Sequence, residues 1–409
     1  MKKNRWMPNI LLISFAAATA GLVSEVALRA AGVSYPSFYR SDEHTGTSLR
    51  PGIEAWERNE GEAYVRTNSE GLRDREHSKA KPANTVRIAV LGDSYTEARQ
   101  VPMEDAFWAV LERDLKSCEG LAGLEVEVIN FGVSGYGTAQ ELITLRRRVW
   151  QYSPDIVILA FLTGNDVHNN FRELAADPKR PYFIYKDGAL TLDASFRDSA
   201  VYRASETTIA RLGNWLTDYS RVLQLINQGK KQLMRIVLYP RPSSDLLGEV
   251  GLEESVYFEP SDSIWTEAWR VTEGLIVLMR DEVRQEGAHF FVVTLSNGIQ
   301  VHPDASVRRR SVERMGITDL FYPDDRIKAL GERECFSVLN LARNFQTHAE
   351  RHKLFLHGFD PNPGGGHWNK EGHRLAGKAI AERLCQDIAV NDGASWLFKG
   401  ARCLDGRIK

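Results

Sequence analysis

Three short apolar runs, each ending in a polar loop that contains glycine, constrain this chain more than any other feature. They are 86–91 (V-R-I-A-V-L), 126–129 and 156–161, followed by Gly92-Asp93-Ser94, Asn130-Phe131-Gly132 and Thr163-Gly164-Asn165-Asp166. Between them lie segments of helical period: 104–116, with Phe107, Val110, Leu111 and Leu115 on one stripe, and 139–150. Runs this largely apolar are buried on both faces. Their alternation with helices therefore predicts a parallel sheet covered on both sides. The rhythm resumes late, with a fourth strand at 289–295, a helix at 326–333, a short apolar stretch at 336–339, a helix at 342–351 and a last helix at 369–385. The expected architecture is a three-layer α/β/α sandwich spanning 85–390.

Residues 169–287 interrupt this rhythm. Long helices are expected at 202–238 and 263–286, with a polar, proline-containing segment between them, so the stretch reads as a helical insertion beside or over the sheet edge. Its aromatic residues, Trp215, Tyr257, Trp265 and Trp269, suit core packing at helical spacing and leave a substrate groove open. Residues 31–84 are mixed in character and read as a lead-in packed on the main domain, and 391–409 as a tail. The formal net charge is -2, so no overall field favours nucleic acid, and none is expected as a partner. The runs Arg146-Arg147-Arg148 and Arg308-Arg309-Arg310 read as solvated faces.

The first 30 residues depart from the average. Lys2, Lys3 and Arg5 precede an apolar run over 10–23, the pattern of an export signal. The run is shorter than the ~20 apolar residues that comfortably span a bilayer, and Ala18-Thr19-Ala20 resembles a cleavage site. An uncleaved anchor and a cleaved signal both remain open. In either case the positive flank stays in the cytoplasm and the rest of the chain faces outward. The expected location is thus the outer side of the inner membrane, tethered or released. Four cysteines follow, Cys118, Cys335, Cys385 and Cys403. Cys385 and Cys403 could close a C-terminal loop in an oxidising compartment, and buried free thiols are the alternative. There is no C-x-x-C and no histidine at zinc spacing, so no structural metal is expected.

In an open parallel sheet, ligands bind at the carboxyl ends of the strands. The first three loops should therefore meet on one edge, bringing Ser94, Gly135 and Asn165 together, and His367 can join them from the loop before the last helix. That set supplies a hydroxyl nucleophile, a base and oxyanion donors. The run 132–137 (G-V-S-G-Y-G) has neither dinucleotide-fingerprint spacing nor the Lys-Ser/Thr of a P-loop. Gly92-Asp93-Ser94-Tyr95, Asn130 to Gly135, Gly164-Asn165-Asp166 and His367-Trp368-Asn369 resemble, in order, four blocks of the SGNH/GDSL hydrolases. The resemblance covers about 87–166 and 355–384 well and the stretch between them poorly.

The resemblance implies a flavodoxin-like sheet and ester hydrolysis through an acyl-enzyme, without metal or organic cofactor. It makes Ser94 the nucleophile, His367 the base, and the Ser94 and Gly135 N–H groups with the Asn165 amide the oxyanion hole. Members of the family usually carry an Asp three residues before the histidine. Here that position is Gly364, within Gly364-Gly365-Gly366-His367. Asp360, seven residues before His367, is a candidate orienting acid; a Ser–His dyad, with or without a backbone carbonyl on the ring, is the favoured alternative. Expected substrates are esters of glycans, lipids or small molecules. Acyl transfer to an exported polysaccharide and a non-catalytic glycan-binding or assembly role are the rival readings.

Overall fold

The computed structural model describes residues 6–238, 253–390 and 396–398. The basic residues before the first helix, most of the polar segment inside the insertion, and nearly all of the tail with Cys403 lie outside them. Helix α1 (Trp6–Ala30) opens the chain. By length and composition its stretch Pro8–Ala30 can cross a membrane: its mean hydropathy is 1.9 and none of it is buried in the protein. Two antiparallel hairpins follow, β1 (Tyr39–Asp42) with β2 (Gly46–Leu49), and β3 (Glu54–Glu57) with β4 (Ala63–Arg66). Their turns carry Gly46 and Gly61, but strands this short do not stand out as a period in sequence. They are held by Phe38, Leu49, Ala55, Ala63 and Val65, which pack with Val133 and Tyr136 of the second glycine loop.

The main sheet begins at β5 (Thr85–Gly92), followed by helix α2 (Ser94–Glu97), α3 (Phe107–Leu115), β6 (Glu125–Asn130), α4 (Thr138–Arg147) and β7 (Ile156–Leu162). Beyond it come α5 (Asp166–Asn169), α6 (Arg172–Ala175), a hairpin of β8 (Tyr182–Lys186) and β9 (Ala189–Asp193), and the helices α7 (Ala200–Ser205), α8 (Thr208–Tyr219), α9 (Arg221–Leu238) and α10 (Ser263–Gln285). The fold closes with β10 (His289–Leu295), α11 (Ala305–Met315), α12 (Tyr322–Glu334), β11 (Ser337–Asn340), α13 (Ala342–His352), α14 (Lys370–Asp387) and a small pair, β12 (Ile388–Val390) and β13 (Trp396–Phe398).

Five strands form the main sheet in the order β6-β5-β7-β10-β11, all parallel. Numbered among themselves this is 2-1-3-4-5, the flavodoxin-like order, with its topological switch point between β5 and β7. Side chains alternate faces along each strand. Ile88 and Val90 join Phe107, Trp108, Phe345, Trp368 and Ile380 on the α3/α13/α14 side. Ala89 and Leu91 join Leu142, Trp269, Ile276, Met279 and Ile327 on the α4/α10/α12 side. The chain is therefore an α/β sandwich, as the alternation predicts. Helix α10, read from sequence as part of the insertion, contributes Trp269 to this core. The long helix expected over 202–238 is three helices. Thr207 Oγ1 caps α8 by accepting from Ala210 N, and Ser220 Oγ accepts from Leu223 N at the start of α9, so each hydroxyl gives the backbone a fresh start.

The cysteine expectation needs correction. Cys385 is bonded to Cys118, not to Cys403, and joins the turn after α3 to α14 across 267 residues. These two helices pack side by side over the sheet, which brings their ends together. No described cysteine is a free thiol.

Candidate active site

Ser94 stands at the switch point, on the turn that leaves β5. A Cβ on Gly92 would lie 2.2 Å from Thr96 Oγ1 and 3.0 Å from the Ala160 carbonyl, so the turn can close this tightly only with glycine. Asp93 caps the following turn, its Oδ1 accepting from Tyr95 N at 2.9 Å. The second loop lies directly against it: a Cβ on Gly132 would sit 2.6 Å from both Glu97 N and Thr96 Cβ. Buried Glu97 fixes that loop by accepting from Ser134 N at 2.5 Å and from the Tyr39 hydroxyl at 2.9 Å. Next to Ser134, Gly135 is exposed at φ +79°, and its carbonyl is held by Arg180 Nη2 at 2.7 Å. Asn165, after β7, donates from Nδ2 to Asp93 Oδ2 at 3.2 Å, which leaves its second amide hydrogen for another acceptor. Ala139 N donates to Asn170 Oδ1 at 3.1 Å and ties the second loop to the third. The three loops thus meet at one sheet edge.

His367 reaches this edge from the far end of the sequence. Its Nε2 is 2.8 Å from Ser94 Oγ. Its Nδ1 is 2.6 Å from Glu60 Oε2, and its backbone N–H donates to Glu60 Oε1 at 2.7 Å. A carboxylate can only accept here, so Nδ1 carries the proton and Nε2 is the bare nitrogen facing the serine hydroxyl. Burial raises the Glu60 pKa, but the hydrogen bonds and charge of His367 outweigh it and hold the carboxyl below its ordinary value.

The acid on the imidazole is therefore neither Asp360 nor a backbone carbonyl. Asp360 lies exposed, between Phe359 and Pro361, in the loop that precedes the glycines. Glu60 comes from the turn between β3 and β4, 307 residues before the histidine. The glycines make its approach workable: a Cβ on Gly366, at φ +81°, would lie 2.0 Å from Glu60 Oε1. Sequence reasoning missed Glu60 because it sits in a charged turn, R-N-E-G-E, with no motif around it. The one usable signal was the missing Asp at Gly364, which implies an acid from elsewhere.

A buried frame holds the His367 loop. Trp368 is fully buried, and its Nε1 donates to Ser296 Oγ at 2.9 Å. His357 places Nδ1 2.8 Å from the Gly366 carbonyl and Nε2 3.0 Å from Ser296 Oγ. Burial pushes the His357 pKa down to about 4, so the ring is neutral at physiological pH and donates from Nδ1 to the carbonyl. Beneath the loops lie three buried carboxyls, Asp93, Glu141 and Asp166. Burial raises all three. In Asp93 the Tyr95 and Asn165 hydrogen bonds oppose this, whereas in Glu141 and Asp166 the charge of neighbouring carboxylates adds to it.

The family profile described as GDSL-like Lipase/Acylhydrolase matches residues 88–236, a span that holds Ser94, Gly135 and Asn165 but not His367. Similar solved structures include an acetyl xylan esterase at 11% identity, covering 73% of this chain and 100% of the other, with a TM-score of 0.37. A catalytic mutant of an acetylxylan esterase from Geobacillus stearothermophilus is 11% identical, covering 75% and 95%, with a TM-score of 0.38. A putative lipolytic protein of the G-D-S-L family from Desulfitobacterium hafniense is 12% identical, covering 73% and 99%, with a TM-score of 0.34. No curated protein matches the chain. The profile match and the ordered blocks of the sequence agree: residues 88–236 match a GDSL-like lipase/acylhydrolase domain, the kind of domain that cleaves ester bonds.

Proposed function

We propose that the protein cleaves carboxylic esters of glycans or lipids outside the cytoplasm, with Ser94, His367 and Glu60 as a catalytic triad. The hydrogen-bonded line Ser94 Oγ–His367 Nε2, His367 Nδ1–Glu60 Oε2, at 2.8 and 2.6 Å, carries this reading. In the proposed reaction His367 takes the Ser94 proton as Oγ bonds to the ester carbonyl carbon. The Ser94 and Gly135 N–H groups and the Asn165 amide hold the oxyanion. His367 then protonates the departing alcohol, and the acyl group stays on Ser94. Water, deprotonated by the same ring, attacks the acyl-enzyme and releases the acid. Glu60 keeps the imidazole in the required tautomer and stabilises its charged form.

As domain organisation we propose a membrane anchor over 1–30, a lead-in over 31–84 that supplies Glu60, a hydrolase domain over 85–390 with an insertion at about 169–287, and a tail over 391–409. The apolar helix α1 and the Cys118–Cys385 disulfide support an oxidising compartment outside the inner membrane. The test is turnover of the full chain on a panel of acetyl and longer acyl esters, with and without glycan acceptors. Release of free acid that Ser94→Ala and His367→Ala both abolish is the expected result. Acyl groups appearing on the acceptor instead of in water would make the protein a transferase, and turnover surviving in Ser94→Ala would remove the proposed nucleophile.

A further inference from the structure

Helices α8 and α9 do not behave as parts of the hydrolase core. No residue of α8 is buried, and Ile209 is 84% exposed. Ile209, Leu212, Leu216 and Tyr219 recur at i, i+3, i+7 and i+10, which places them on one face. In α9 the exposed Ile226 and Leu233 lie on a similar stripe. Isolated helices of 12 and 18 residues are marginal in water, so helices this bare need a surface to lie on.

Their attachment points to that surface. Glu25, near the outward end of α1, accepts from Arg221 N at 3.0 Å, Val222 N at 3.1 Å and Ser220 Oγ at 3.1 Å, and so caps α9. Arg29 of α1 donates to the Tyr219 carbonyl at the end of α8. The α8–α9 junction is thereby pinned where the apolar part of α1 gives way to its first charged residues. Residues 208–238 carry five basic side chains against one acidic, Asp218. Four of the five basic residues, Arg221, Lys230, Lys231 and Arg235, belong to α9, while the apolar stripe of α8 carries Trp215 beside it; together the pair combines the apolar stripe, tryptophan and basic charge of helices that lie in a bilayer interface.

We propose that α8 and α9 lie in the outward-facing interface of the bilayer that α1 crosses, with their apolar stripes among the acyl chains and the basic residues of α9 toward anionic phospholipid headgroups. The proposal rests on the reading of α1 as an uncleaved anchor. It makes the pair a platform that holds the hydrolase domain against the membrane surface, in addition to the tether itself. Continuity with α1 favours lipid over a protein occupant.

The test is tryptophan quenching in the full chain, reconstituted in vesicles of phosphatidylethanolamine and phosphatidylglycerol with and without brominated acyl chains. The difference between wild type and Trp215→Phe isolates Trp215 of α8, and the difference between wild type and Trp6→Phe isolates α1. The expected result is that both signals are quenched by the brominated lipid and that Trp215 is shielded from aqueous iodide. A Trp215 signal quenched by iodide would overturn the platform. A signal shielded from iodide but untouched by brominated lipid would also overturn it, since protein would then cover the face. A Trp6 signal untouched by brominated lipid would overturn the anchor reading and the proposal with it. Trp6 quenched with Trp215 unquenched would overturn the platform alone.

Discussion

Asn165 separates two ways in which a side chain can contribute to an ester hydrolase. If its amide serves the oxyanion, its hydrogen bond strengthens as charge develops in the transition state and matters little to bound substrate. Asn165→Ala should then lower kcat about 10²- to 10³-fold with a small change in KM, read by steady-state kinetics on a soluble ester. A raised KM at unchanged kcat would make it a ground-state contact. His77 supplies a test of stability. It is buried between Asp74 Oδ2 at 3.1 Å and Glu127 Oε1 at 2.5 Å. Burial opposes its charge, but the hydrogen bonds to the two carboxylates prevail and raise its pKa to about 9. A group whose pKa rises on folding stabilises the fold fully below its unfolded pKa, ~6.5 for histidine. That contribution disappears as pH climbs through the folded value. His77→Gln should therefore lower Tm most near pH 6, and the gap to wild type should narrow between pH 7 and about 9. An equal gap across that range would mean that His77 is not charged in the fold.

At the scale of elements, the strand–helix alternation was legible because buried parallel strands are mostly apolar on both faces, a charged residue such as Arg87 being tolerated where it is paired, here with Glu127. The runs at 86–91 and 156–161 fall inside β5 and β7, which extend one residue further at one or both ends. The β1–β4 hairpins were not legible. Their strands are four residues long, too short for a period to stand out, and they are held by contacts with Val133 and Tyr136 far along the chain. The loop holding His367 joins these two kinds of element. Its triple glycine looks like a flexible gap in sequence, whereas in the fold Gly366 is the floor on which Glu60 rests. Gly366→Ala would force a side chain into the place of Glu60 Oε1 at a backbone angle of φ +81°. Its turnover should fall toward that of a Glu60 variant, measured on the same ester. Near wild-type turnover in Gly366→Ala would mean that the carboxylate does not sit there during catalysis.

Over the whole molecule, the site joins segments that the chain keeps far apart. Ser94, Gly135 and Asn165 were placed together from strand order alone, because a parallel sheet puts the ends of its strands on one edge. His367 followed from a block resemblance. Glu60 could not be found in this way, since nothing local distinguishes it from the acids around it and only the packing of the lead-in against the sheet brings it to the ring. With Glu60 in the proposed triad, the segment between α1 and β5 would belong to the catalytic unit. The most direct test is kcat on a soluble acetyl ester for Glu60→Gln beside Asp360→Asn, with folding checked by circular dichroism. A neutral amide on Nδ1 can favour the wrong imidazole tautomer, so Glu60→Gln should lose about 10²- to 10⁴-fold, while Asp360→Asn stays within a few-fold of wild type. A large loss in Asp360→Asn with Glu60→Gln near wild type would contradict the account.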